Sequence, residues 1–298
     1  MIGGSKRPDA HGLAASSALP LDALQTEQGV LFQGDAENWL PMLPAGAIQL
    51  AYVDPPFGTG KLRRGEKAAF DDAERDPAAY AQALRPLLNG MWRALDDEGT
   101  LLIHLDWHAS HYVKVLLDEI CGLAAFRNEI VWCYNGGSVP VRDFPRKHDV
   151  ILRYAKGRRP RFHVERRPFK ENTQSVGRHS TYARDVAIDL ERGTPVTDWW
   201  QDIPTVTGWS PERTGYPTQK PLMLLKRLIA ACSDRGDIVL DPCCGSGTTG
   251  VAAHELGRRF LCGDRSPQAL ALTEDRLRAA GASWRGPLRP DLPEGDGL

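Results

Sequence analysis

The feature that most restricts the fold of this chain lies near its end. Ile238 to Leu240 is a short apolar run, and it feeds Asp241-Pro242-Cys243-Cys244-Gly245-Ser246-Gly247-Thr248-Thr249-Gly250, a turn into a helical stretch ending near Leu256. Phe260 to Gly263 reads as the next strand, closed by Asp264, nineteen residues beyond Gly245. Strand, G-x-G-x-x-G turn, helix, strand and acid in this register match a nucleotide fingerprint. Glycines let backbone N–H groups approach a ligand, the helix N-terminus favours a negative group, and the distant acid can accept from ribose hydroxyls. Only a last helix, with Ser266 as N-cap and Pro267 in its first turn, and a Pro/Gly-rich tail follow. The rest of the sheet must therefore come from upstream.

Upstream, Val30 to Gln33, Ile48 to Val53, Thr100 to Leu105, Ile130 to Tyr134 and Val150 to Tyr154 read as strands. The last two are expected as an antiparallel pair at one side of the sheet. Tyr80, Leu84, Leu87, Leu88, Met91, Trp92 and Leu95 share a face and predict one amphipathic helix over Tyr80 to Leu95. Tyr112 to Ile120 and Pro221 to Cys232 give two more. Strand and helix alternate, so the expectation is an α/β protein: a Rossmann-like sheet, circularly permuted, in which strands from residues 30 to 154 join those at 238 to 263. From Lys156 to about Trp209 the pattern lapses into charge, Gly, Pro and Thr, which predicts an inserted recognition or cover region. The expected division is an arm over 1–27, a first half-domain over 28–155, the insertion over 156–209, a second half-domain over 210–282 and a tail over 283–298.

The permuted order brings a second motif to the same crevice. Asp54-Pro55-Pro56-Phe57 follows the strand at Ile48 to Val53, at the strand end where open α/β sheets place chemistry. The prolines fix φ and lack N–H groups, so the segment stays extended with carbonyls free to accept. A carboxylate, a free carbonyl and an aromatic face side by side suit a planar group with an exocyclic amine. A plain strand-ending turn is the competing explanation of these four residues. The aperiodic stretch from Gly58 to Asp76 predicts a mobile loop over this site.

Bulk properties exclude several classes. No apolar run approaches the roughly 20 residues of a membrane span, and no basic region followed by an apolar core opens the chain. Six cysteines, two adjacent, form neither a disulfide ladder nor a zinc pattern, and His104 and His108 are expected as core or rim residues, with no metal. These features predict a cytoplasmic protein. Formal net charge is −1, yet between Arg142 and Lys170 eleven Lys and Arg stand against three acids, a concentration that suits phosphate.

At these residues the chain resembles the β group of DNA amino-methyltransferases, S-adenosylmethionine-dependent enzymes whose catalytic motif precedes the cofactor motif. The likeness covers residues 28 to 280 and includes the runs His104 to Ile120, Arg127 to Trp132 and His148 to Tyr154. It implies that Asp54, Pro55, Pro56 and Phe57 are catalytic. It also implies that Asp241, Cys243, Gly245, Gly247, Thr248 and Thr249 form the cofactor loop. Thr218 and Lys220 fall in the segment preceding the cofactor strand, Asp264 matches the ribose acid, and Asp35 the adenine side. Arg142, Arg146, Lys147, Arg158, Arg159 and Arg161 would meet DNA phosphates, with target recognition in 156–209. Phe57 replaces a more common tyrosine, and Asp264 a frequent glutamate.

The implied chemistry is direct methyl transfer to the amine of an extruded base, without a covalent intermediate, so Cys243 is not expected as a nucleophile. In the family an aspartate at the first motif position leans to adenine N6 and a serine to cytosine N4. Site-specific adenine methylation is thus expected, with cytosine N4 as the alternative. A nicotinamide-dependent dehydrogenase and a non-catalytic DNA-binding module remain as competitors. The partners implied are DNA, a second copy of the chain and a cognate restriction nuclease, at the nucleoid. Trp199 and Trp200 are expected to pack rather than read bases.

Overall fold

The computed structural model describes residues 24–56, 61–64, 69–72, 76–135, 140–168 and 193–285. Its spine is five parallel strands: β2 (Gly29–Gln33), β3 (Ile48–Val53), β6 (Leu95–Leu105), β12 (Ile238–Asp241) and β13 (Arg259–Asp264), in the spatial order β6-β3-β12-β13-β2. Strands from the two ends of the chain thus interleave, as the permuted expectation requires. Beyond β6 lie β8 (His148–Ala155) and β7 (Phe126–Cys133), both pairings antiparallel, which places the expected hairpin-like pair at one side. β11 (Trp199–Trp200) extends that edge beside β7, while β1 (Leu24–Thr26) and β14 (Trp284–Arg285) extend the other beyond β2, completing a ten-stranded sheet.

Both faces of the spine are covered, so its strands read as unbroken apolar runs. Past an irregularity between Ile48 and Leu50, successive side chains of β3 alternate between two cores. Ile48, Ala51 and Val53 face Leu88 and Met91, whereas Leu50 and Tyr52 belong with Leu225 and Leu228 on the opposite face. The first layer comprises α1 (Ala36–Trp39), α2 (Pro77–Ala83), α3 (Arg85–Ala94) and α4 (Ser110–Cys121). The second comprises α5 (Leu222–Cys232), α6 (Thr248–Glu255) and α7 (Pro267–Ala279). Ser266 caps α7 as expected, accepting from the Ala269 N–H. Among the described residues no helix is long and apolar enough to cross a membrane.

Several expectations need correction. The single helix over Tyr80 to Leu95 is two helices meeting at Leu84, because Pro86 in the first turn of α3 has no N–H to continue the ladder. Leu95 itself starts β6. Within the stretch read as a mobile loop, β4 (Lys61–Arg64) and β5 (Ala69–Asp72) pair as an antiparallel ribbon. The arm and the tail are not separate from the domain at their inner ends, since β1 and β14 pair with each other. Part of the insertion is also built into the domain: β11 is sheet, the short β9 (Arg166–Arg167) pairs with β10 (Thr194–Pro195), and the Ile203 carbonyl accepts from Trp132 Nε1 at 2.8 Å.

Strand direction divides the basic run. β8 is antiparallel to β6, with Val150 opposite Leu105 and Ala155 opposite Thr100, so the chain enters β8 at the C-terminal end of the spine and leaves at the other. Seven rises of about 3.3 Å separate the ends. Arg158 and Arg159 are exposed at the far end, and Arg161 is consumed there. Its guanidinium lies 3.0 Å from Asp96 and 3.6 Å from the fully buried Asp237, with Glu98 and Asp234 also in reach. These three residues correct the phosphate assignment. Arg161 ties the start of β6 to the start of β12, across β3. Arg161→Ala is expected to lower stability by about 3 kcal/mol or more, since it strands a buried carboxylate, while leaving the salt dependence of DNA binding unchanged. Urea midpoints and a salt titration check the two halves.

Candidate active site

Each of the five parallel strands delivers an aspartate to the same edge. Asp241 and Asp264 end β12 and β13, Asp54 and Asp106 immediately follow β3 and β6, and Asp35 follows β2 after Gly34. They open on one cleft of about 750 Å³, which Asp54, Pro55 and Pro56 line together with Asp35, Thr218, Lys220, Asp241, Cys243, Gly245, Thr248, Thr249 and Asp264. The two motifs expected to share a crevice therefore do. Phe57 lies outside the described residues. Gly247 does not line the cleft. Its φ is +76°, and a Cβ there would come within 2.5 Å of Thr273 on α7, so glycine is required for the close approach of loop to helix.

The cofactor loop is braced by its own acids. Asp241 accepts from Thr249 Oγ1 at 2.5 Å and from the Cys243 N–H at 3.1 Å. Asp264 accepts from the Gly245 and Ser266 N–H groups, both at 2.9 Å, which uses part of its capacity for a ribose. Burial first, and then the charges of Asp54 and Asp264, push the Asp241 carboxyl up to about 7. Burial also raises Asp264, and burial with the neighbouring carboxylates holds the Cys243 thiol well above its ordinary value. A protonated thiol is a poor nucleophile.

The segment before α5 closes the cleft. Gln219 fastens it by accepting from the Thr214 N–H and hydroxyl and donating to the Glu212 carbonyl. Thr218 is held at a φ of +63°, a backbone strain found at sites the surroundings over-determine. The Lys220 carbonyl accepts from Thr248 Oγ1, and Lys220 Nζ reaches Asp54 Oδ2 at 2.5 Å. Lys220 thus lines the cleft as expected, but its contact is with the catalytic-motif carboxylate.

Beyond Asp54, on the β6 and β8 side, lies a polar chain that the motifs do not announce. The Tyr52 hydroxyl is 3.1 Å from His104 Nδ1, His104 Nε2 is 3.1 Å from Asp149 Oδ2, and the Tyr134 hydroxyl donates to Asp149 Oδ1 at 3.0 Å. Burial opposes ionisation of Asp149, but the hydrogen bonds and charge of His104, and Lys220, outweigh it and hold the carboxyl below its ordinary value. Burial and nearby carboxylates push the Tyr52 phenol far up, so it stays protonated. His104 is a buried core histidine and His108 a rim residue paired with Asp106. Tyr216, also on the cleft, covers Gly245. Of the basic residues, Arg146 reaches the cleft, with Arg142 and Lys147 on the same approach to β8.

Asp54, Asp241 and Asp264 crowd one cleft, and a bound cation would relieve them. S-adenosylmethionine, with a sulfonium and an ammonium group beside a nucleoside, fits that donor set. The permuted sheet with both sites on one edge defines a Rossmann-like methyltransferase. Comparison with known proteins narrows this further. The chain belongs to the DNA methylase family of N6 and N4 amino-methyltransferases, whose profile matches residues 48–275. It is 28% identical to the Type II methyltransferase M.EcaI of Enterobacter cloacae over 76% of this chain and 63% of that protein, so it spans just under two thirds of that relative. It is 28% identical to the DNA adenine methyltransferase YhdJ of Escherichia coli over 79% of this chain and 78% of the other. The structure of the cytosine-N4-specific PvuII DNA methyltransferase superposes with a TM-score of 0.61, covering 85% and 87% of the two chains at 16% identity, a likeness of fold. DNA is the substrate class of that family, and the acids and nucleoside loop of the cleft suit S-adenosylmethionine as its methyl donor.

A cationic cofactor should bind the ionised form of Asp241. Below about pH 7 binding must first release its proton, so affinity is expected to rise with pH by up to roughly tenfold per unit and to level off above 7. The unliganded fold should show the opposite slope, losing stability as pH rises toward 7, because its raised carboxyl binds a proton that the unfolded chain has released. Calorimetry across pH 5.5–8.5 checks the first, and Asp241→Asn should flatten the profile.

Proposed function

We propose that this chain methylates N6 of adenine at a specific site in duplex DNA, and that Asp54 is the group that selects and activates the amine. The observation that carries the reading is the position of Asp54, between the nucleoside-binding loop on β12 and the Tyr52–His104–Asp149–Tyr134 chain. An exocyclic amine is weakly nucleophilic because its lone pair is delocalised into the ring. Asp54 and the Pro55 carbonyl accept from its two N–H bonds and localise that pair toward the donor. Bound S-adenosylmethionine supplies the electrophilic methyl group. Lys220 holds Asp54 in orientation.

Extruding the base costs a few kcal/mol, and stacking on Phe57, about 1–3 kcal/mol, offsets much of it. Arg142, Arg146 and Lys147 sit where phosphates flanking the cleft would pass. Target recognition falls to the part of 156–209 beyond the Arg161 anchor. Trp200 packs there beneath Arg227, whereas Trp199 is half exposed and Trp209 almost fully so, which leaves those two open to DNA. The Type II names of relatives support a cognate nuclease as partner.

Incubation with methyl-labelled cofactor and plasmid DNA, followed by digestion to nucleosides, is expected to give N6-methyladenine. N4-methylcytosine would reverse the base assignment, and label on RNA or protein alone would overturn the substrate. Asp54→Ala should cut transfer at least about 100-fold while cofactor affinity stays within about fivefold, measured by single-turnover kinetics and calorimetry.

A further inference from the structure

Where β6 ends, the chain runs Asp106-Trp107-His108, and these three form a stack at the cleft mouth. The His108 ring lies on Trp107 with centroids 3.6 Å apart and planes inclined by 29°. His108 cannot turn away, because Asp106 accepts from its Nδ1 at 2.6 Å and from its backbone N–H at 3.0 Å. The guanidinium carbon of Arg146 lies 4.1 Å from the Trp107 ring centre. Two groups this close over one ring occupy opposite faces. Trp107 and Arg146 line the cleft and His108 does not, so the covered face is the one toward the site.

Trp107 is not a core residue: it is 39% exposed, beside buried Leu105 and Ala109. Among the described residues the contact of Arg146 is with the Trp107 ring, and its neighbour Arg142 is exposed on the same segment. A rigid aromatic plate backed by a pinned imidazole, under a guanidinium, stands next to the strand that presents Asp54. β6 and β3 are hydrogen-bonded neighbours with Ile103 opposite Val53.

We propose that Trp107 is a stacking platform for the extruded nucleobase, and that Arg146 is its removable cover. In the free protein Arg146 shields the plate from water. On DNA the guanidinium moves to a backbone phosphate, where it forms charge-assisted hydrogen bonds, and the base takes the vacated face. Base stacking is the stronger use of the ring, since an exposed cation–π contact is worth less. Coupling the two steps means that the platform opens only where a phosphate is in place. The inference rests on DNA as substrate and holds for either base.

Four full-length proteins test it: wild type, Trp107→Ala, Trp107→Phe and Arg146→Gln. DNA affinity is read by anisotropy on a labelled duplex over a salt series with cofactor present, and transfer to plasmid DNA in a single turnover. Trp107→Ala should lose roughly 10- to 100-fold in transfer, Trp107→Phe should return to within about fivefold of wild type, and cofactor affinity should be unchanged in both. Arg146→Gln should lower the salt slope by about one. Wild-type rates in Trp107→Ala, a Trp107→Phe protein as slow as the alanine variant, or an unaltered slope in Arg146→Gln would overturn the proposal. If wild type binds DNA without methylating it, the reading of activity fails instead, and the salt slope alone decides whether Arg146 meets phosphate.

Discussion

The pairing of β3 with β12 is the contact on which the rest depends. Leu50 lies opposite Val239 and Ala51 opposite Leu240, which joins segments nearly 190 residues apart in sequence. Without that parallel ladder, Asp54 and the glycine-rich loop would belong to separate half-sheets and no crevice would exist between them. The register is locked at the base of the strands. The buried Gln49 side chain accepts from the Ile238 N–H at 2.9 Å and reaches Asp96, and Arg161 grips Asp96 and Asp237 together. A side-chain amide here does what a backbone group would do in a longer strand. Polar groups at one end thus fix the register that positions the chemistry at the other.

That geometry has an electrostatic consequence. Five parallel strands that each end in an aspartate concentrate negative charge where an open α/β sheet binds ligands. The fold answers it locally in three ways. Backbone N–H groups and Thr249 occupy Asp241 and Asp264, Lys220 occupies Asp54, and His108 occupies Asp106. Asp241 is the most deeply buried of the five, and that burial pushes its carboxyl up to about 7 despite its hydrogen bonds. The charge left over favours a cationic methyl donor over its neutral product, a difference that helps the product leave.

Much of this was legible in the sequence because the spine strands are short, apolar and ended by recognisable turns. Ile48 to Val53 matches β3 residue for residue, and Ser266-Pro267 marks the start of α7. Where the reading failed, a single physical cause intervenes. Pro86 divides a helix whose apolar face is continuous, since periodicity reports burial and not hydrogen bonding. Gly247 matches a ligand-binding pattern but faces Thr273, because the pattern does not say which glycine makes room for the helix. Tyr52, His104 and Asp149 lie on β3, β6 and β8 and Tyr134 just past β7, so they meet only through register and no spacing along the chain could announce them. The basic run was misread for a related reason: charge density along a sequence carries no direction, and strand β8 divides the run between the two ends of the sheet.

The ion pair of Lys220 with Asp54 bears on how the amine is bound. An ionised carboxylate offers about four lone-pair sites, and Lys220 takes one on Oδ2. Enough capacity remains for the amine, so the lysine holds the acceptor without blocking it. Its tether supports this role: the Lys220 carbonyl is bound by Thr248 in the first turn of α6, so the ammonium that orients Asp54 is fixed to the same loop that cradles the donor. In the proposed mechanism the acceptor of the amine and the seat of the methyl group would thereby be one rigid unit. Direct transfer, as proposed, would require that relation, because no covalent intermediate would hold the reacting atoms in line.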